Sequence, residues 1–109
     1  MIAGSIPPMI LETVHSLNNV PIRLTDERWE HIVEAHPYMT RYYEHMLDAV
    51  GDPEYIFPGY RGSLVAVVML RKNTILHVMY REESRDDGFI ITAYLKTSID
   101  KKKAIWPKD

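Results

Sequence analysis

Residues 74–97, TILHVMYREESRDDGFIITAYLKT, are the stretch that decides the fold. Two apolar halves, rich in β-branched and aromatic residues, flank a charged run that ends in Asp87-Gly88. β-branched and aromatic residues favour strands, and a polar segment that contains a glycine favours a turn. The stretch therefore predicts two antiparallel strands joined by a hairpin.

Side-chain alternation assigns a face of the sheet to each residue of this hairpin. The more apolar sides are Leu76, Val78 and Tyr80 in the first strand and Phe89, Ile91, Ala93 and Leu95 in the second. Bringing both sets to one face pairs His77 with Tyr94 and leaves residues 83–88 as a six-residue loop. The opposite face then carries His77, Arg81, Thr92, Tyr94 and Lys96.

The chain before the hairpin supplies two more strands and two helices. Residues 55–57 and 64–70 are strand-like and are separated by turn signals. Thr25 is a suitable N-cap, and the first helix ends near His36 because Pro37 disfavours helical angles in its predecessor. The second helix has as its apolar stripe Met39, Tyr43, Met46, Leu47 and Val50.

The first 25 residues add a short strand at residues 20–24 and, before it, a short helix. Ile10, Val14 and Leu17 recur at helical spacing after Pro8. We expect an N-terminal extension, residues 1–20, holding this helix, and a single domain, residues 21–109. The order of that domain, β-α-α-β-β-β-β, indicates an α+β fold with both helices on one face of a four- to five-stranded, mostly antiparallel sheet.

Composition narrows the class of protein. The chain has 109 residues, 46% of them hydrophobic, and a formal net charge of -2, which argues against a strongly electrostatic nucleic-acid binder. It has no cysteine, which excludes disulfides and thiolate chemistry. Its longest apolar run, residues 64–70, is too short to span a bilayer, and its N-terminus lacks the basic start of a secretory signal. We expect a cytoplasmic protein that does not enter membranes.

The spacing of the two histidines in the first helix distinguishes a metal site from an acid–base site. His31 and His36 are five residues apart, which separates them by about 140° around a helix, so they cannot share a metal ion. The spacing therefore argues against a zinc site in this helix; separately, we expect no cofactor. His31 has Glu27 and Glu34 as helical neighbours and fits a surface residue. His36 shares the apolar stripe of Trp29, Ile32 and Val33 but lies in the last turn, so it fits either a structural histidine or an acid–base group.

The polar face of the hairpin also permits two interpretations. An antiparallel sheet often shows water one polar face, and threonine and tyrosine are good strand formers. Alternatively, arginine, threonine, tyrosine and lysine side chains on adjacent strands bind phosphate oxygens. The residue pattern leaves both interpretations open.

Short motifs between residues 21 and 106 resemble one family. They are LTDERWEHI at residues 24–32, His36-Pro37, GSLVAV at residues 62–67, Tyr80-Arg81-Glu82 and DGFIITAY at residues 87–94. Together they resemble the phage- and toxin-associated nuclease-like domains grouped with barnase, EndoU, the tRNA-cleaving colicins and RelE. The strand, helix and strand order predicted above is compatible with a RelE-like member of that group.

This resemblance implies a toxin-like endoribonuclease that needs no metal, in which the 2′-hydroxyl of RNA attacks the adjacent phosphorus. By position it implies His36 as the acid–base residue, Arg81 as the phosphate clamp and Thr92 as a hydroxyl donor. Tyr94, Lys96 and His77 would bind substrate. The partners expected beside RNA are an antitoxin or immunity protein and a second copy of the chain.

Two other functions stay open. A non-catalytic module with the same fold would dock a protein through Tyr38, Tyr42 and Tyr43, because tyrosine is favoured at interfaces. A small metal-independent hydrolase is the third, although the sequence offers no nucleophile motif for it.

Overall fold

The computed structural model describes residues 6–108, in which two helices and one six-stranded sheet form an α+β fold. The elements are β1 (Ile10–His15), β2 (Pro21–Thr25), α1 (Asp26–Ala35), α2 (Tyr43–Gly51), β3 (Tyr55–Pro58), β4 (Leu64–Arg71), β5 (Thr74–Ser84) and β6 (Asp87–Lys96). Short 3₁₀ helices span Pro37–Tyr42, Tyr60–Gly62 and Lys101–Lys103. The strand order is β1-β2-β6-β5-β4-β3, and the pairing of β2 with β6 is parallel. The predicted fold class is confirmed, but the sheet has six strands rather than four to five.

The sixth strand is β1, so the predicted N-terminal helix is wrong. β1 pairs antiparallel with β2 and places Val14 opposite Ile22. Leu11 and Val14 pack against the core. The spacing of Ile10, Val14 and Leu17 fits a helix, but the long-range pairing with β2 outweighs that local pattern. Residues 10–15 of the N-terminal extension therefore belong to the main sheet.

Helix α1 begins and ends where the sequence predicts. The Thr25 hydroxyl oxygen accepts a hydrogen bond from the backbone N–H of Arg28 at 3.2 Å. The helix ends at Ala35, and His36 follows with φ -137° and ψ 79°. Pro37 disfavours helical angles in the residue before it, which accounts for this stop.

Both helices pack on one face of the sheet, as predicted. The most deeply buried side chains of this core, each at most 1% exposed, include Ile22, Leu24, Ile32, Met39, Met46, Val50, Leu76, Val78, Tyr80 and Ile90. Burying one large aliphatic side chain stabilises a fold by about 1.5–3 kcal/mol. The opposite face of the sheet carries a smaller cluster of Val65, Val67 and Ile75, against which Ile99 packs.

A β-bulge in β6 changes the register of the predicted hairpin. Met79 pairs with Thr92, as the predicted register requires, but the next residue, Tyr80, pairs with Ile90. Ile91 is therefore an extra residue in β6. A bulge breaks the strict alternation of side chains along a strand.

The bulge corrects two sequence predictions. Ile90 and Ala93 are both buried in the core, whereas Phe89 pairs with Arg81 on the opposite face. The predicted core positions of Phe89 and Ile91 are therefore wrong. The predicted six-residue loop is also wrong, because Ser84 pairs with Asp87 and only two residues connect the strands.

Strand β6 extends past the end of its parallel partner. β2 pairs with β6 through two residue pairs, of which the second joins Arg23 to Phe89. Further along β6, the backbone N–H of Leu95 donates to the Tyr38 hydroxyl oxygen at 3.2 Å instead of to a strand. The open edge of β6 therefore receives the chain that follows α1, including His36.

Candidate functional site

Five side chains form a cluster at the open edge of β6. The imidazole of His77 stacks on the Tyr94 ring at 5.2 Å between centroids, and the His36 imidazole lies 6.1 Å from the same ring. The Lys96 ammonium lies 5.7 Å from the centre of that ring. With Tyr38, these residues are called the edge cluster. His77, Tyr94 and Lys96 come from the face of the sheet that α1 does not cover, and His36 approaches the Tyr94 ring from the open edge.

His77 is a buried histidine whose Nδ1 is anchored. It is 7% exposed, and its Nδ1 lies 3.1 Å from the backbone carbonyl oxygen of Ile75. A carbonyl only accepts hydrogen bonds, so Nδ1 of the neutral ring carries the proton and Nε2 carries a lone pair. Burial lowers the pKa of His77 and the Lys96 charge lowers it further, against the opposing effect of the Ile75 carbonyl. At neutral pH this imidazole is therefore a proton acceptor at Nε2.

His36 leaves the apolar stripe of α1, where the sequence pattern placed it. Because Pro37 ends the helix, His36 adopts non-helical angles, and its partly buried ring turns to Tyr38 and Tyr94. Its Nδ1 lies 3.1 Å from the Tyr38 hydroxyl oxygen. The ring is thus hydrogen-bonded and lies beside two tyrosines, rather than in the hydrocarbon core.

A cavity of about 290 Å³ opens beside Tyr94. Its polar lining comprises His77, Tyr94, Lys96, Ser98, Asp100 and Lys103. Ile99, in the segment after β6, packs against Val65 of the sheet, which places this segment over the cavity. Two ammonium groups and one carboxylate give the cavity a positive balance, which suits an anion.

Arg81 and Thr92 lie on the same face as His77 but outside this cavity. Arg81 is four residues along β5 from His77, about 13 Å at the usual rise of a strand. Its guanidinium lies 4.0 Å from the Glu83 carboxylate. Thr92 pairs with Met79, between these two positions. Arg81 and Thr92 therefore lie apart from the cavity, whereas His36, His77 and Lys96 gather around the Tyr94 ring.

Basic side chains gather at the end of the sheet where the cavity lies. They are Arg71, Lys72, Lys96, Lys101, Lys102 and Lys103, and all six are exposed. A second, wider groove of about 660 Å³ is lined by Arg71, Lys72 and Lys101, whose ammonium lies 5.7 Å from the Tyr55 ring. The ion pairs found in residues 6–108 involve Arg23 and Arg81 and none of these six. Although the chain has a net charge of -2, this end is positive.

The three tyrosines of the docking hypothesis have different surroundings. Tyr43 packs edge-on against Trp29 with centroids 4.9 Å apart. The Tyr42 hydroxyl accepts a hydrogen bond from the Arg71 guanidinium at 3.1 Å. Tyr38 is 39% exposed and belongs to the edge cluster. They do not form one exposed patch.

Sequence reasoning missed the place of Tyr38 and Lys103 in the site. Tyr38 follows His36 by two residues, but Pro37 ends the helical pattern between them, so no periodicity links them. Its bond to Leu95 joins segments 57 residues apart. The one available signal is the proximity of Tyr38 to the His-Pro motif.

Two further properties of the described residues bear on the chemistry. In residues 6–108, no group of three or more histidine, aspartate or glutamate side chains is placed to hold a metal ion. No helix in that range is long and apolar enough to cross a membrane.

Comparisons with protein-family models, curated proteins and solved structures find no match to this chain. The functional argument therefore depends on the edge cluster, the cavity beside it and the charge of the surrounding surface.

Proposed function

We propose that this protein is an endoribonuclease that needs no metal and cleaves RNA by attack of the 2′-hydroxyl on the adjacent phosphorus. The observation that carries the proposal is the neutral, Nδ1-anchored imidazole of His77, stacked on Tyr94 beside a cavity that holds two ammonium groups. The reaction needs a base, an acid and positive charge near the phosphate. His77, Lys96 and Lys103 line the cavity, and His36 lies beside the Tyr94 ring that lines it as well.

The proposed reaction distributes these tasks among named side chains. One imidazole takes the proton of the 2′-hydroxyl while the 2′-oxygen forms its bond to phosphorus. The bond from phosphorus to the 5′-oxygen breaks, and the other imidazole gives that oxygen a proton. Lys96 and Lys103 stabilise the charge that builds on the other phosphate oxygens. The products are a 2′,3′-cyclic phosphate and a free 5′-hydroxyl.

The basic end of the sheet supports RNA as the substrate. Phosphate contacts by lysine and arginine supply much of the affinity for nucleic acids. Exposed aromatic rings such as Tyr38 add stacking that tolerates any base. A cell that makes such an enzyme needs to restrain it, so we also propose an antitoxin or immunity protein that covers the cavity.

The proposal is tested by incubating the purified protein with tRNA and total RNA in the presence of a chelator. The variants are His36→Ala and His77→Gln. The matched control is His31→Ala, because His31 is an exposed histidine in α1, the helix that His36 directly follows. We expect the wild type and the control to leave 2′,3′-cyclic phosphate ends, and both site variants to be slower by about 100-fold or more. RNA left intact by the folded wild type would rule the function out.

The alternative is a non-catalytic module that binds protein. The observation in its favour is the exposed apolar side chains at the start of edge strand β1: Ile10, its first residue, is 53% exposed, and Met9, just before it, is 65% exposed. Edge strands add partner chains by backbone hydrogen bonding. A wild type that cleaves no RNA but binds a partner through β1 would favour this module.

A further inference from the structure

The two imidazoles of the edge cluster are anchored through the same atom by chemically different partners. His77 Nδ1 faces the Ile75 carbonyl oxygen, and His36 Nδ1 faces the Tyr38 hydroxyl, each at 3.1 Å. In both rings this leaves Nε2 as the nitrogen that can exchange a proton with a substrate. The difference between the partners assigns different roles to the two rings.

The partner of His77 fits a base. Because a carbonyl oxygen only accepts, it holds the proton of the neutral ring on Nδ1 and keeps the Nε2 lone pair available. His77 is also nearly buried, which disfavours its charged form. His77 therefore has the properties of a base, which begins the reaction neutral and receives a proton at Nε2.

The partner of His36 fits an acid. The Tyr38 oxygen accepts the Leu95 N–H and has a second lone pair and its own proton. It can therefore accept Nδ1–H from a protonated His36 or donate to Nδ1 of a neutral one. Such a partner holds the ring in place in both charge states. His36 is also only partly buried, whereas His77 is buried.

We propose that His36 is the acid and His77 the base of the cleavage reaction, and that Tyr38 is a positioning residue that acts through His36. This inference depends on the proposed function and deepens it. The 2′-hydroxyl proton moves to His77 Nε2, and the Nε2 proton of cationic His36 moves to the departing 5′-oxygen. His36 is then neutral, with its remaining proton on Nδ1 bonded to the Tyr38 oxygen.

The test compares two substrates that differ in the leaving group. A dinucleotide releases a 5′-alkoxide, which needs a proton, whereas uridine 3′-(4-nitrophenyl phosphate) releases a phenolate, which does not. We expect Tyr38→Phe to lower kcat on the dinucleotide about tenfold with KM unchanged, and to act at the wild-type rate on the nitrophenyl ester. His36→Ala should likewise be slow on the dinucleotide and act at the wild-type rate on the nitrophenyl ester. His77→Gln should stay slow on both substrates.

Tyr60→Phe is the matched control, because Tyr60 is 70% exposed and lies away from the edge cluster. A Tyr38→Phe variant that slows both substrates equally would show a merely structural role. Rescue of His77→Gln by the nitrophenyl ester would reverse the assigned roles. Either result overturns the proposal.

A second measurement needs no RNA. In ¹⁵N spectra of the histidine rings above neutral pH, His77 should show its proton on Nδ1. Tyr38→Phe should shift the Nδ1 resonance of His36 and leave that of His77 in place. If the wild type cleaves neither substrate, the proposed function and the acid and base roles fail together, and the spectra decide whether Tyr38 anchors His36. An unchanged His36 resonance would overturn that anchoring.

Discussion

The imidazole of His77 and the ring of Tyr94 stack directly across the β5–β6 ladder, with their centroids 5.2 Å apart. This packing keeps water from the imidazole, and burial is the largest cause of the lowered pKa of His77. The Lys96 charge is a further cause. The base of the proposed site therefore takes up a proton at a lower pH than an ordinary histidine does.

The first prediction concerns the pH dependence of RNA cleavage. Because the folded pKa of His77 lies below its usual value of 6.5, the acid limb of kcat/KM should fall below pH 6.5. Lys96→Gln removes a cation that lowers this pKa and should move the limb to higher pH. Lys102→Gln, in the 3₁₀ helix after β6, should leave it in place. A limb that Lys96→Gln does not move would contradict the assignment of His77 as the base.

The second prediction separates Arg81 from the chemical step. Arg81 lies about 13 Å along β5 from His77, beyond the reach of a dinucleotide held at the edge cluster. Arg81→Ala should therefore cleave a dinucleotide within about twofold of the wild-type rate but show a raised KM for long RNA. Arg85→Ala, in the adjacent turn, is the control. A large loss of kcat on the dinucleotide would instead place Arg81 on the reacting phosphate.

The third prediction concerns the basic end of the sheet. Replacing Lys101, Lys102 and Lys103 together by glutamine removes three exposed charges beside the cavity. Binding of a non-cleavable 2′-O-methyl RNA should weaken, and the slope of log K against log salt should become shallower by about 0.7 for each phosphate that the variant no longer neutralises. Fluorescence anisotropy at several salt concentrations measures both. An unchanged slope would show that RNA does not bind at this 3₁₀ helix.

The fourth prediction concerns the buried hydroxyl of Tyr80. This side chain is 0% exposed, and its hydroxyl has no hydrogen-bond partner among the described residues. Burying an unpaired hydroxyl costs about 1–3 kcal/mol, so Tyr80→Phe should raise the free energy of unfolding by about 1 kcal/mol. Urea denaturation at pH 7 measures the difference, with Tyr60→Phe as an exposed control. A destabilised variant would mean that the hydroxyl has a partner.

The raised pKa of Tyr80 also predicts that the folded protein loses stability in alkaline solution. Burial, with a contribution from Glu82, raises the pKa of Tyr80 from 10.0 to about 12. The unfolded chain then loses this proton more readily than the folded one, so the contribution of Tyr80 is intact below pH 10 and is lost as pH rises towards 12. The advantage of Tyr80→Phe over the wild type should therefore grow between pH 10 and pH 12. A constant difference would contradict the raised pKa.

The fifth prediction concerns the junction of β2, β5 and β6 at Gly88. A Cβ at this position would collide with the backbone carbonyl oxygen of Arg81 and with Cδ1 of Ile22. Because a strand backbone cannot move aside without breaking its ladder, Gly88→Ala should lower the free energy of unfolding by about 1–3 kcal/mol. Gly51→Ala is the matched control, since its nearest neighbour is a Val14 methyl at 3.3 Å. Equal effects in urea denaturation would contradict this view of the junction.

The sequence predicts the elements that have local signals. Thr25 and Pro37 mark the ends of α1, and turn residues separate β3, β4, β5 and β6. The β1 strand is different, because its pairing with β2 is not visible in a window around Ile10. The bulge at Ile91 is hidden for a related reason, since FII offers two adjacent isoleucines and no alternation to show which one faces the core.

The residues of the candidate site also fall into those that the sequence pattern places correctly and those that it does not. Strand parity places His77, Tyr94 and Lys96 on one face, and the structure brings them together. The sequence pattern puts His36 on the other face, and only the short β2–β6 pairing reveals an edge that its ring can cross. Tertiary contacts of this kind leave no periodic trace in the sequence.

The length of helix α1 sets where the chain reaches the edge of β6. Its ten residues fix the height and the direction at which the chain arrives beside Tyr94. One inserted residue would turn everything beyond it by about 100° and advance it by about 1.5 Å. The strands after residue 55 would keep their partners, yet the imidazole of His36 would point elsewhere. The number of residues in one helix, rather than their identity, thus determines whether the two histidines meet at the same tyrosine.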